Sequence, residues 1–203
     1  KALGELEYLG NEINKLNLIN SEFTTVKGNL LKKNYFRNLD KKDLGRTYFT
    51  DKTPINFRWI GYIFNSFSNA KVIHIERNPQ ATCWSNFKSN FSGEANGFSN
   101  NLDNIVKFYL NYQKIMSFYN KLYKNKIHNI KYEDLINNFE KEVKKIISYL
   151  NLAWDENCIN FHESDRYIST TSFVQVKKKI FFNSSEEWKN YNDKLQNHFN
   201  VFE

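Results

Sequence analysis

The segment KVIHIER, Lys71 to Arg77, constrains this chain more than any other. Val72, Ile73 and Ile75 form the apolar run expected of a strand buried at the centre of a parallel sheet. Asn78-Pro79 follows at once, and a proline at the first helical position starts a helix running to about Asn90. Leu102 to Tyr123 carries a long amphipathic pattern, Ile127 to Tyr132 reads as a second strand, and Phe139 to Leu150 as another helix. Strands joined by connections of helical length pair in parallel, so the expectation is an α/β fold.

The flanking segments extend this reading. Gly4 to Leu16 and Phe23 to Leu39 place apolar residues at helical spacing, with Ser21 as N-cap of the second helix. Arg46 to Lys52 reads as a short strand entering a turn, and Pro54 opens a helix through Phe67. Ser89 to Asn101, rich in Gly, Ser and Asn, reads as a flexible loop. Ser184-Ser185-Glu186-Glu187 has the form of a cap and an acidic first turn, opening a last helix through about Phe199.

A length of 203 residues makes one domain, residues 1–203, the default. Hydrophobic residues at 40% and aromatics at 17% exclude a disordered chain. No run approaches the roughly 20 apolar residues of a spanning helix, and the first ten residues lack the apolar block of a signal peptide. Two scattered cysteines, Cys83 and Cys158, suit neither a disulfide framework nor a zinc knuckle. A reducing, cytoplasmic setting without a membrane partner follows as the expectation. The net charge of +7, from 29 Lys plus Arg against 22 Asp plus Glu, favours an anionic partner. The preference for Lys, Asn, Ile, Phe and Tyr also fits an A/T-rich genome, so the lysine surplus is weak grounds for nucleic-acid binding.

In an open parallel sheet, ligands bind beyond the carboxyl ends of the strands. The residues there are Asp51-Lys52, Arg77-Asn78 and Tyr132-Glu133-Asp134. Ser85 falls about two turns into the helix after Arg77, so a guanidinium fork and a hydroxyl can face one anion, which is good phosphate chemistry. A salt bridge from Arg77 to Glu133 or Asp134 is the competing reading. The histidines at 74, 128, 162 and 198 have no metal-ligand spacing. No metal is assigned.

Three longer segments complete the pattern. DKTPINFRWIGYIFNSFSNAKVIHIERNPQATCWSNF (Asp51 to Phe87) resembles the 3′-phosphate region of sulfotransferases that use 3′-phosphoadenosine 5′-phosphosulfate (PAPS). KYEDLINNFEKEVKKIISYLNL (Lys131 to Leu152) is similar to that family's Tyr-Glu-Asp-Leu segment, and Thr170 to Leu195 to its Ser, Gln-Val and Trp-x-x-Tyr pattern. Gly4-Glu5 fits the Gly-Glu after the family's first helix, and the closest flavour is the bacterial and tyrosylprotein-sulfotransferase-like branch. The resemblance implies a three-layer, P-loop-like sulfotransferase fold and transfer of a sulfonate from PAPS to an acceptor hydroxyl on a carbohydrate, lipid, small molecule or peptide. It implies that Arg77 and Ser85 grip the 3′-phosphate, that Tyr132 lies near the adenine, and that Lys52 meets the sulfonate. Ser172 then hydrogen-bonds near the transferred group, and Glu5 is the general base. Lys177, in the run Lys177-Lys178-Lys179, adds positive charge for the cofactor.

The resemblance also sets an expectation for what lies upstream. The family's 5′-phosphosulfate loop, a Pro-Arg-Ser-Gly-Thr-Thr-like turn at a helix N-terminus, belongs before Gly4. The sequence starts at Lys1, so the reading is of an N-terminally truncated domain without that loop and its strand. Asn78, Ser89 and Glu187 stand where the family usually has Asp, a basic residue and a basic residue. Plainer roles compete throughout: a core tyrosine for Tyr132, a turn for Ser172, a solvated lysine for Lys52, a surface carboxylate for Glu5, and a solvated charge run around Lys177. The alternatives to an enzyme are a non-catalytic nucleotide-binding remnant and, last, a basic nucleic-acid-binding protein. A P-loop kinase with the same sheet is a further alternative, and the Arg77-to-Ser85 spacing and the Tyr-Glu-Asp-Leu segment favour a sulfotransferase over it.

Overall fold

Apolar residues at helical spacing fold the start of the chain into two packed helices, α1 (Tyr8–Lys15) and α2 (Thr25–Arg37). The computed structural model describes residues 4–39, 48–89, 94–161 and 185–202. Residues 4–7 precede α1 in extended or irregular backbone, so the first helix is shorter than its apolar pattern suggests. Gly4 adopts φ +84°, a left-handed conformation that favours glycine. Ser21 does not cap α2. Its hydroxyl donates to the Asn17 carbonyl at 2.7 Å, and Thr24 caps instead by accepting from the Lys27 amide at 3.3 Å. Thr24 wins because it sits directly before the helix in extended conformation, where its oxygen faces the free amides.

Pro54 starts the next helical segment as anticipated, as a 3-10 turn over Pro54–Trp59 that continues into α3 (Ile60–Ser66). A Cβ on Gly28 of α2 would meet Phe23 Cζ at 3.0 Å and the Asn65 carbonyl oxygen at 3.5 Å, so glycine permits the close approach of α2 to α3. Leu9, Ile13, Leu18, Leu31, Tyr35, Leu39 and Trp59 form the core of this unit, which takes in residues 4–71 of those described. The expected strand over Arg46 to Lys52 is not seen in its described part, where Thr50 alone makes an isolated bridge. Its backbone is bound to the N-terminal segment instead, the Lys52 amide donating to the Gly4 carbonyl at 2.9 Å.

The second unit covers the described residues from Val72 onward. β1 (Val72–Glu76) leads through Asn78 into α4 (Pro79–Lys88), and α5 (Leu102–Leu122) returns the chain to β2 (Ile127–Lys131). The strands pair in parallel from Val72↔Ile127 to Glu76↔Lys131. Two helices follow, α6 (Tyr132–Asn137) and α7 (Phe139–Leu150), and α8 (Asn192–Phe199) comes near the end of the unit. The result is an α/β fold with a small parallel sheet and many helices. The Tyr149 hydroxyl accepts from the Val72 amide at 3.1 Å and donates to the Lys126 carbonyl at 2.7 Å, tying α7 to the start of both strands.

β1 departs from the buried-strand expectation. Ile73 is 37% and Ile75 51% exposed, while Val72, His74 and Glu76 on the opposite face are half-buried. Among the described residues the sheet has two strands, and its Ile73 and Ile75 face is open to solvent where a central strand would be covered on both faces. Within the segment expected to be a loop, Glu94–Asn100 forms a 3-10 helix whose Phe98 ring stacks on Phe108 of α5 at 4.3 Å. Cys83, Ile105, Val106, Tyr109, Leu195 and Phe199 make the core of this unit. Among the described residues, no helix is long and apolar enough to cross a membrane.

Candidate functional site

The pairing of β1 with β2 ends at Glu76↔Lys131, and the residues that follow on each side meet through side-chain contacts. Arg77 and Asn78 follow Glu76, and Tyr132 and Glu133 follow Lys131 into the next helix, so the two pairs leave neighbouring strand ends. The Arg77 guanidinium carbon lies 5.0 Å from the centre of the Tyr132 ring, a cation–π contact worth about 0.5–2 kcal/mol. The Asn78 amide donates to Glu133 Oε1 at 3.0 Å. The Asn78 side chain in turn caps α4 by accepting from the Ala81 amide at 2.8 Å, so the turn after β1 is held at both ends.

Ser185, from the C-terminal segment, completes the cluster. Its buried hydroxyl accepts from Arg77 Nε at 3.2 Å and donates to Glu133 Oε1 at 3.0 Å. From the core side, the Tyr109 hydroxyl of α5 donates to the Arg77 carbonyl at 2.9 Å. Arg77 thus has its backbone, its Nε and the face of its guanidinium all engaged. Burial pushes the Tyr109 phenol above the ordinary tyrosine range, with Tyr112 and Glu76 adding to the shift, so it remains a proton donor at neutral pH. Arg77 meets Glu133 through Ser185, a more indirect link than the competing salt-bridge reading supposed. Tyr132 is half-buried at the strand end and covered by Arg77. Ser85 is half-buried, well inside α4. Nearby, Lys88 pairs with Glu187 at 2.5 Å.

The first unit holds its own polar group. The Lys52 ammonium and Glu5 carboxylate form an ion pair, and Thr53 Oγ1 donates to the Leu6 carbonyl at 2.8 Å. Beneath it, the Tyr35 hydroxyl donates to Asp51 Oδ2 at 2.9 Å. Burial raises the Asp51 pKa above the usual carboxylate range, against the opposing hydrogen bonds from Tyr35, Leu6, Thr53 and Asn56. Lys52 and Glu5 are thus brought together, with side chains 63% and 45% exposed. Ser172 and Lys177 lie outside the described residues.

Three residues of the Arg77 cluster escaped assignment from sequence. Tyr109 has the helical spacing of any core residue. Glu133 entered only as a rival partner of Arg77. Ser185 was expected to cap the last helix, whereas that segment is a 3-10 turn, Glu187–Tyr191, leading into α8, and the Ser185 hydroxyl is spent on Arg77 and Glu133.

A sequence profile of the Sulfotransferase family matches residues 15–156. The chain belongs to the sulfotransferase family. The matched region contains Lys52 and the strand-end residues Arg77, Tyr132 and Glu133. An uncharacterized protein of Aquifex aeolicus (strain VF5) is 30% identical over 159 residues, covering 77% of this chain. The chain spans about a fifth of that relative's length, 21%. Among solved structures, the sulfotransferase domain from the curacin biosynthetic pathway is similar in fold, with a TM-score of 0.52 and 17% identity over 97% of this chain and 78% of that one. Sulfotransferases are transferases, and sulfonate transfer is the chemistry this membership suggests.

Proposed function

We propose that this sulfotransferase takes PAPS as sulfonate donor and transfers the sulfonate to an acceptor hydroxyl. The observation that carries the reading is Arg77 at the carboxyl end of β1, anchored on three sides and stacked over Tyr132. A guanidinium suits a phosphate monoester, because its planar fork matches the oxygens in geometry and charge. An aromatic ring next to the guanidinium suits a purine nearby. The chemistry of this donor set therefore fits a 3′-phosphorylated adenosine, with Arg77 and Ser85 on the phosphate and Tyr132 by the base. Glu133, linked to Arg77 through Ser185, accepts two hydrogen bonds from within the protein, which tempers its repulsion of a bound anion.

The transfer step is assigned to Lys52 and Glu5, with Ser172 near the transferred group and Lys177 adding charge toward the donor. Glu5 accepts the acceptor's hydroxyl proton as the acceptor oxygen bonds to sulfur. Lys52 stabilises the charge that appears on the oxygen bridging sulfur and phosphate as that bond breaks. The products are a sulfate ester and 3′-phosphoadenosine 5′-phosphate.

Isothermal titration with 3′-phosphoadenosine 5′-phosphate against adenosine 5′-phosphate tests the donor reading. A charge-assisted contact to the 3′-phosphate predicts a preference of roughly 10- to 150-fold for the 3′-phosphorylated nucleotide, abolished in Arg77→Ala. Equal affinity for the two nucleotides would overturn it.

A further inference from the structure

Arg77 is one member of a relay built from three distant stretches of chain, and the other members determine how its side chain is held. Arg77 Nε donates to Ser185 Oγ at 3.2 Å, and Ser185 Oγ donates onward to Glu133 Oε1 at 3.0 Å. The same carboxylate oxygen accepts the Asn78 amide at 3.0 Å. One Glu133 oxygen therefore restrains the turn that carries Arg77 and, through a hydroxyl, the side chain itself. Ser185 is 7% exposed, so water competes poorly for its single proton and its lone pairs. A serine can serve both neighbours at once, because a hydroxyl accepts and donates.

Orientation matters more for arginine than for lysine. The guanidinium delivers its donors from a rigid plane, and two-point contact with a phosphate is lost when that plane rotates. The Nε bond to Ser185 and the Tyr132 ring fix the plane from two directions. From this arrangement we infer that Glu133 and Ser185 are positioning residues, whose relay sets the selectivity of the Arg77 site for a phosphate monoester. This inference rests on the donor reading above for the identity of its ligand. The relay itself is a property of the protein without nucleotide.

The two levels are separated by two measurements on the full chain. The first is the ratio of affinities for 3′-phosphoadenosine 5′-phosphate and adenosine 5′-phosphate. Ser185→Ala leaves Arg77 in place with its Nε bond removed, and a fall in that ratio of about 3- to 10-fold is expected, the range of one ordinary hydrogen bond. Ser185→Thr retains the hydroxyl and restores the ratio. Glu133→Gln keeps an acceptor oxygen for Asn78 and Ser185 and falls between wild type and Glu133→Ala. A merely structural role would weaken both nucleotides equally, leaving the ratio unchanged, and that result overturns the inference. The second measurement is hydrogen exchange at the Arg77 Nε–H by NMR, without nucleotide. Exchange slowed in wild type and Ser185→Thr but fast in Ser185→Ala supports the relay even where wild type shows no 3′-phosphate preference, in which case the donor reading alone fails. Equal exchange rates in wild type and Ser185→Ala would refute the relay whatever the nucleotides do.

Discussion

Tyr109→Phe isolates one hydrogen bond at the base of the candidate site. The Tyr109 ring is 6% exposed and meets Tyr112 and Phe202 edge-on, with ring centres 5.2 and 5.5 Å away. Phenylalanine retains those contacts and removes only the hydroxyl that donates to the Arg77 carbonyl at 2.9 Å. The net value of such a bond is about 0.5–1.5 kcal/mol, with more lost to the extent that the carbonyl goes unsatisfied. For a chain of this size a loss of about 1 kcal/mol lowers Tm by roughly 2–4 °C. Tyr109→Ala also empties part of the core, at about 3–5 kcal/mol. Urea unfolding of the three proteins at pH 8 measures both steps. The pH dependence supplies a second check. The Tyr109 phenol is raised by burial, so the native state holds its proton more tightly than the unfolded state does. Its contribution is complete below the ordinary tyrosine pKa of about 10 and is lost as pH climbs above it. Wild type therefore loses stability above pH 10 more steeply than Tyr109→Phe. If Tyr109→Phe matches wild type in stability at pH 8 and in alkaline slope, the phenol does not hold Arg77 and the geometry argued above is wrong.

Two further outcomes follow from the same physics. Asp51 has its pKa raised chiefly by burial, so ionising it costs stability that appears as pH rises through the carboxylate range. Asp51→Asn retains an acceptor for the Tyr35 hydroxyl and is expected to melt higher than wild type at pH 7, with the advantage shrinking as pH falls toward about 4, as thermal scans at the two pH values will show. Cys83 is fully buried and its thiol is pushed up to about 12, whereas Cys158 is partly exposed. Titration with a thiol-reactive disulfide at pH 8 should count one thiol in the native protein and two in denaturant, and two fast native thiols would contradict the packing of α4 against α5.

Much of the architecture was legible because strong local signals agree with the packing that results. Asn78-Pro79 both caps and starts α4, and the long apolar stripe of α5 ends within one residue of its expected boundary. The misread segments are those where a local signal had two physical outlets. Ser21 resembles a cap, but Thr24 lies closer to the free amides of α2. Arg46 to Lys52 has strand composition, yet strand composition needs a neighbour to pair with, and the backbone at Lys52 bonds to Gly4. Ile73 and Ile75 show the same limit from the other side, since apolarity reports what a residue tolerates and not which layers surround it.

The candidate site divides along a similar line. Arg77 and Tyr132 were findable because parallel topology sends functional residues to strand ends, an argument that needs only the order of elements. Which strand-end residues meet each other depends on register, and register is decided by side-chain packing along the whole sheet. Once Val72 pairs with Ile127, the strands end level at Glu76 and Lys131, which brings Arg77 near Tyr132 and Asn78 near Glu133. Ser185 could not be reached this way. A serine before two glutamates is good helix-capping chemistry for the same reason that it is good relay chemistry: a small hydroxyl next to backbone and carboxylates accepts one hydrogen bond and donates another. Its function is chosen by the distant partners that arrive beside it, here Arg77 and Glu133. Residues of this kind, polar, buried and individually ordinary, are where a site's selectivity can reside while its sequence signature belongs to the arginine alone.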